Sequence, residues 1–484
     1  MAELTRREFI TRSAAAIAGA ALLGMPVASC AAEKARKPNV VFLFADQMRN
    51  QALGCIGQDR NTKTPNMDKL AGQGMLFTDA ISGYPLCTPY RAMLLTGRYG
   101  TTTGMIGNEM ELPESEITIA QVLKDQGYKT GFIGKWHLEK THDPFVPKER
   151  RHGFDYWASR NLGGEYMDSF YCADTPEQIP LPGYETDCHA DLAIDFMKKN
   201  KDQPFCLVLA WRAPHPPREA PQKYLDMFDR EKLAQRPNVP KGVDDRKNAQ
   251  IYYAMIAGLD AGIGKITKTL DELGIADDTI ICFSSDHGDM LASQGLQGKN
   301  VPFEESINIP FIMRYPKRIK AGQKTDVLMN SVDVMPTLLG LCGAPIPKVV
   351  QGTDLSPIIL GKGGPATGSR EWRDKKPEAV LLQKIAGVPG RKAMGPWRGV
   401  RTDRYTYARF SDKGYVLFDN EKDPYQMNNL IDKPEAKELQ DKMEALLQKM
   451  LKKAGDKFET QDAYLARMKG RVGKKWARMQ ETTE

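Results

Sequence analysis

Four short, mostly β-branched or aromatic apolar runs, each stopping abruptly at polar residues, constrain this chain more than any other feature. Val40-Val41-Phe42-Leu43-Phe44-Ala45 stops at Asp46-Gln47, and residues 129–133 stop at Gly134-Lys135-Trp136-His137. Residues 205–211 run into Pro214-His215, and residues 279–283 run into Ser285-Asp286-His287-Gly288. A strand with one wet face alternates apolar and polar residues, and these runs do not. Both of their faces must therefore be covered, which predicts a mostly parallel sheet between helices. Helical stretches at 67–73, 118–126, 187–199 and 249–273 fit between the runs. In such sheets ligands bind beyond the carboxyl ends of the strands. Asp, Gln, Lys and His side chains should converge at that edge.

The expected architecture is α/β, a large parallel or mixed sheet sandwiched by helices, with a smaller C-terminal α+β domain. The 484 residues leave room for both. The Pro- and Gly-rich 340s and 350s lead to Gly361-Lys362-Gly363-Gly364-Pro365, the best linker candidate. Beyond it, 397–410 and 415–419 read as a hairpin-like pair of exposed-edge strands. Leu439, Met443, Leu446, Leu447 and Met450 line one helical face, and the tail beyond Gly455 reads as charged, helical or loose. The expected boundaries are 1–30, 37–362 and 370–484.

Residues 1–30 read as a targeting segment. Arg6-Arg7 precede an apolar run at 14–25 that is too short to span a bilayer, the pattern of a twin-arginine export signal. Val27-Ala28-Ser29-Cys30 has the form of a lipoprotein cleavage box with Cys30 acylated; ordinary cleavage after Ala31 or Ala32 is the alternative. The expected location is the periplasm or a lipid anchor on the cell envelope, with no membrane contact beyond export and that anchor. The net charge is +7; residues 1–30 carry Arg6, Arg7 and Arg12 against Glu3 and Glu8, which leaves +6. So mild an excess gives no footprint for nucleic acid, though it suits an anionic substrate. Eight cysteines without zinc-finger spacing do not form a disulfide scaffold. Cys206 and Cys282 read as buried hydrophobes, and a Cys172–Cys188 pairing stays open.

The strongest local signal is Cys87-Thr88-Pro89-Tyr90-Arg91, followed by Thr96-Gly97-Arg98. Pro89 in a first turn and Gly97 after the last predict a helix opening at Cys87. Residue 87 then meets the positive helix end, where anions bind, with Arg91 one turn away on the same face. Taken alone, the segment could equally be a buried thiol at a helix start.

Cys-x-Pro-x-Arg with the following Thr-Gly-Arg resembles the signature of the type I sulfatases, in the alkaline phosphatase superfamily. The resemblance extends in family order over roughly residues 38–430. It includes Thr64-Pro65-Asn66-Met67-Asp68, Gly134-Lys135-Trp136-His137, Ala213-Pro214-His215-Pro216, Ser285-Asp286-His287-Gly288-Asp289 with Lys299, and Trp397-Arg398-Gly399-Val400-Arg401-Thr402.

The resemblance implies that a sulfatase-maturing enzyme oxidises Cys87 to formylglycine, whose hydrate attacks sulfur. Asp46, Gln47, Asp286 and His287 would hold a divalent cation. Gln47 stands where many relatives carry a second Asp, and His287 where Asn is frequent. Calcium is the first expectation, and the nitrogen ligand with one fewer carboxylate leaves manganese or magnesium as alternatives. Arg91 would stabilise the hydrate, Lys135 and Lys299 would grip the sulfate, His215 would protonate the leaving alcohol, and His137 would help expel sulfate. The expected substrate is a sulfated oligosaccharide or polysaccharide. Loops at 103–111, 138–171 and 384–398 would select it, with Asn108, Glu109, His142 and Arg391 as polar candidates. His142, His152 and His189 read as surface or substrate-side residues. The alternatives are a formylglycine-dependent phosphodiester or phosphonate monoester hydrolase, or a non-catalytic binder of sulfated glycans if Cys87 stays a thiol.

Overall fold

A computed structural model describes residues 36–361, 376–387, 395–468, 470–474 and 476. The twin-arginine segment, Cys30, all of the proposed linker except Gly361, and Arg391 lie outside the described residues. Pro38–Glu484 forms one compact unit.

A ten-stranded sheet runs through this unit in the order β11-β2-β10-β9-β1-β8-β4-β5-β6-β7. The strands are β1 (Asn39–Ala45), β2 (Met75–Phe77), β4 (Lys129–Lys135), β5 (Tyr156–Arg160), β6 (Met167–Cys172), β7 (Gln178–Tyr184), β8 (Phe205–Ala210), β9 (Thr279–Ser285), β10 (Phe311–Arg314) and β11 (Gln323–Thr325). A short pair, β3 (Ala80–Ile81) and β12 (Met329–Asn330), stands apart. The centre β9-β1-β8-β4-β5 is parallel throughout. Antiparallel β10 borders it on one side, and β6 and β7 border it on the other. The sheet is therefore mixed at its margins and parallel where the four apolar runs lie.

Every residue of β1, β8 and β9 is buried. Along β1 the side chains alternate between two cores: Val40, Phe42 and Phe44 face one, Val41, Leu43 and Ala45 the other. Helices Pro65–Gly72, Glu185–Asn200 and Arg246–Glu272 supply the second core. Helices Cys87–Thr96, Ile119–Asp125, Val334–Cys342 and Lys437–Ala454 supply the first. Truncating one of these central aromatics should cost about 3–5 kcal/mol.

Strand register aligns the polar ends. Ala45 pairs with Ser285, so Asp46 and Asp286 leave adjacent strands side by side. Phe44 and Gly134 both pair with Ala210, which brings Lys135 and the Trp211–His215 turn to the same edge. Gly134 has φ +96°, and a Cβ there would stand 2.2 Å from the Ala210 carbonyl oxygen. Only glycine lets β4 bend at that point.

The C-terminal strands correct one expectation. Residues 397–410 form two strands, not one, within a four-stranded antiparallel sheet of β13 (Val380–Lys384), β14 (Trp397–Arg401), β15 (Tyr405–Arg409) and β16 (Gly414–Asp419). They are not exposed edges: β14 is buried along its whole length. Met443, Leu446 and Leu447 share one core with Leu381, Val400 and Tyr407, while Leu382, Trp397, Ala408 and Phe418 join Ile81, Met290 and Val301 in another. The tail is anchored in part, because Val472 bridges to Met110 and the buried Trp476 donates to the Asn108 carbonyl at 2.7 Å. Cys206 and Cys282 are fully buried, and Cys172 and Cys188 are unbridged thiols. No described helix is long and apolar enough to cross a membrane.

Candidate active site

Cys87 is the first residue of the helix Cys87–Thr96, entered from an extended Leu86 and closed by Gly97 in the left-handed region. The helix is buried on all sides, and its start is tied down from two directions. The Thr88 amide donates to Asn108 Oδ1 (3.2 Å) and the Thr88 hydroxyl to the His137 carbonyl (2.9 Å). Asn108 therefore braces the helix start, a role other than the substrate selection expected of it.

Around the Cys87 Sγ stand Lys299 Nζ and His287 Nε2, each at 3.3 Å, and Asp46 Oδ1 at 3.5 Å. Lys135 Nζ lies 2.6 Å from Asp46 Oδ2. One turn into the helix, Arg91 reaches Asp46 Oδ2 (3.2 Å), Asp286 Oδ2 (3.4 Å) and the Lys135 carbonyl, with its guanidinium over the Phe44 ring. Gln47, at φ +81°, donates its backbone N–H to Asp286 Oδ1 (3.0 Å) and accepts from Lys299 Nζ at its side-chain Oε1 (2.6 Å). A non-glycine residue in that backbone region costs about 1–3 kcal/mol, and such strain concentrates at functional sites.

Protonation states follow from burial and charge. Burial raises the Asp46 carboxyl, but Lys135, His215, Lys299 and Arg91 together outweigh it and hold it well below the usual range. Asp286 moves the other way, to about 7, through burial and the neighbouring Asp46 charge. Burial works against the Lys299 ammonium, yet Cys87, Asp46 and Asp286 hold it above its ordinary value. The Cys87 thiol is pushed up by burial and then by Asp46. His287 is held well below 6.5 by burial and Lys299. Its Nδ1 meets the Gly288 carbonyl at 3.1 Å, so the single proton sits on Nδ1 and Nε2 offers a lone pair.

That lone pair lies 3.3 Å from Asp286 Oδ1 and 3.7 Å from Asp46 Oδ1. The ligating atoms of Asp46, Cys87, Asp286 and His287 all fall within 4.8 Å of one another, completely buried. Several lone pairs converging in a dry site can hold a cation. Two carboxylates, an amide oxygen and an imidazole nitrogen fit a divalent ion.

Comparison with known proteins identifies the family. Residues 38–344 match the family described as "Sulfatase", and residues 293–453 match "N-sulphoglucosamine sulphohydrolase, C-terminal". The chain belongs to the sulfatase family. It is a sulfuric ester hydrolase of the alkaline phosphatase superfamily. An ulvan-active sulfatase of Formosa agariphila is 39% identical over 451 residues, spanning 90% of this chain and 86% of that one. An endo-4-O-sulfatase of Bacteroides thetaiotaomicron is 30% identical over 89% of this chain and 95% of its own. A protein solved in complex with its substrate D-glucosamine-2-N,6-O-disulfate superposes with TM-score 0.76 at 25% identity, over 87% of this chain and 99% of that one.

This sulfatase brings together the site residues expected from its sequence, with two qualifications. His215 sits partly exposed at the rim, and its Nδ1 meets the Pro216 carbonyl. Desolvation of its ring and Lys299 hold its pKa well below 6.5, so it is neutral. His137, at φ +60°, is buried with Nδ1 unpartnered, and burial with Lys135 keeps it neutral as well. Among the remaining histidines, His142 is exposed, 3.2 Å from Glu109. His152 and His189 are buried, contrary to expectation: His152 stacks on Trp136, and His189 lies in the helix that carries Glu185. Two residues with no expected role also belong to the site. Asp289 and Arg218 pair with each other and, through Asp289, with Gln47. Asp289 ends the Ser285–Asp289 motif, and its position three residues past Asp286 was the available signal.

Proposed function

We propose that this sulfatase removes sulfate from a sulfated saccharide, using a formylglycine made from Cys87 and a calcium ion held by Asp46, Gln47, Asp286 and His287. The carrying observation is the Cys87 Sγ at a helix start, 3.3–3.5 Å from His287, Lys299 and Asp46. That Sγ stands where an oxygen of the modified side chain would stand. The modified residue supplies an oxygen nucleophile, and the cation supplies Lewis acidity.

The chain's own groups then divide the work. Lys299 and Lys135 receive the sulfate oxygens in a water-poor pocket, where fixed charges act strongly. Arg91 offsets the two carboxylates and keeps the helix start in place. His215 carries the proton to the leaving alcohol once the bound anion raises its basicity. His137 faces the opposite step, release of sulfate. The saccharide class is supported by the names of the relatives: one ulvan-active, one endo-4-O-sulfatase, one bound to a disulfated glucosamine. Maturation requires a sulfatase-maturing enzyme, and the twin arginine supports export to the periplasm, with Cys30 as the candidate anchor.

The test is co-expression with a maturing enzyme, then ion chromatography of sulfate and phosphate released from sulfated mono- and disaccharides and a phosphodiester. Peptide mass spectrometry reports residue 87. The expected result is sulfate from a saccharide and none from Cys87→Ala. Phosphate instead of sulfate, or an unmodified thiol in active protein, would overturn the proposal.

A further inference from the structure

Gln47 presents an amide, and an amide is useful to a cation only on its oxygen side. Which side it shows is decided by the groups at its two ends. Oε1 receives Lys299 Nζ at 2.6 Å, and an ammonium can only donate. Nε2 donates to Asp289 Oδ2, an oxygen that also accepts from Arg218 Nη2. The two ends admit a single orientation, with the oxygen on the side of Lys299 and Cys87.

Asp289 is itself immobilised. It is 1% exposed, its Oδ1 accepts from the Leu291 amide at 2.8 Å, and its Oδ2 also accepts from Arg218 Nη2. Arg218 is held in turn by Asn248 Oδ1, by the Pro214 carbonyl (3.1 Å), and by the Tyr252 ring (5.0 Å). Among the described residues the Asp289 carboxylate makes no hydrogen bond to Cys87, and its side chain meets the ligating groups through the Gln47 amide.

We propose that Asp289, clamped by Arg218, is the positioning residue that holds Gln47 as an oxygen donor to the divalent cation. Hydrogen bonding by Asp289 to Nε2 also draws electron density toward Oε1, so part of a carboxylate's negative character reaches the cation site through a neutral amide. The inference rests on the reading that a cation binds Asp46, Gln47, Asp286 and His287.

The experiment is calcium titration calorimetry on the full-length, metal-stripped protein, with no activity readout. Asp46→Asn tests the cation reading alone and should abolish binding; if calcium binds that variant as well as wild type, the cation reading fails whatever Asp289 does. Asp289→Asn should weaken calcium binding about 10–100-fold, the usual effect of losing an outer partner of a ligand. The decisive arm is Gln47→Glu, whose carboxylate has no wrong side. In that background Asp289→Asn should leave calcium affinity unchanged or raise it, because it removes a like charge. A merely structural role for Asp289 would weaken binding equally in both backgrounds and would overturn the proposal. Should Asp289→Asn not fold, Arg218→Gln reads the same clamp: affinity about 3-fold or more below wild type supports the proposal, and unchanged affinity overturns it.

Discussion

Replacing Lys135 by methionine should move two affinities in opposite directions. The ammonium lies 2.6 Å from Asp46 Oδ2, and the side chain is 6% exposed, so its charge acts with little water between. Methionine keeps much of the stem and deletes the charge. Two unit charges about 5 Å apart interact by about 3 kcal/mol at an effective dielectric near 20. Losing that attraction for sulfate should lower kcat/KM about 10²-fold, equivalent to about 2.7 kcal/mol. The same ammonium repels a cation beside Asp46. A doubly charged cation feels about twice that interaction; allowing half of it for relaxation, about 3 kcal/mol should return to cation binding, roughly 10²-fold tighter. The assays are steady-state sulfate release by the matured enzyme and calcium titration calorimetry on the same preparation. A structural lysine whose loss loosens the pocket would weaken both. A fall in calcium affinity alongside the fall in kcat/KM would refute the argument from charge.

Three further outcomes follow from other parts of the structure. Chelation should lower the melting temperature reversibly, and calcium at 100 times its Kd should restore about 2.7 kcal/mol by differential scanning calorimetry; a melting curve indifferent to calcium would speak against the cation site. Arg398→Met should cost about 3–5 kcal/mol, because Arg398 and Asp456 are paired at 2.5 Å with both side chains fully buried, and the carboxylate would keep hydrogen bonds from Gln383, Phe458 and Tyr464 but lose its countercharge. Glu139 is raised to about 7 by burial, despite Arg150 at 3.2 Å. A carboxyl whose folded pKa lies above its unfolded 4.5 contributes stability below that value and loses it as pH rises through 7. Glu139→Gln should therefore match wild type near pH 4 and exceed it by up to about 3 kcal/mol above pH 7.5 in denaturant titrations, and equal stability at both pH values would refute the shift.

Much of this molecule was legible in its sequence because parallel-sheet physics is local. Four runs without alternation required two covered faces, and their abrupt polar ends required a common edge, which is where Asp46, Lys135, His215 and Asp286 meet. The C-terminal sheet was harder to read. Residues 397–410 contain a turn at 402–404 without glycine or proline, so two strands read as one. Burial from both sides comes from the helix Lys437–Ala454 and from Phe303 and Met290, about 40 and 100 residues away, and leaves no mark on local periodicity.

The site was read by residue type, and residue type does not say which partner a side chain has already taken. Asn108 looked like a loop residue free to meet substrate, yet its oxygen is committed to the Thr88 amide. Gln47 looked like a weaker substitute for a carboxylate. In the structure an acidic group is present after all, one hydrogen bond farther out, at Asp289, 242 residues along the chain. On the proposal that Gln47 meets a cation, counting carboxylates by position underestimates the negative character available to it. The relevant count includes acids that reach the site through an oriented amide, and only three-dimensional packing sets that orientation.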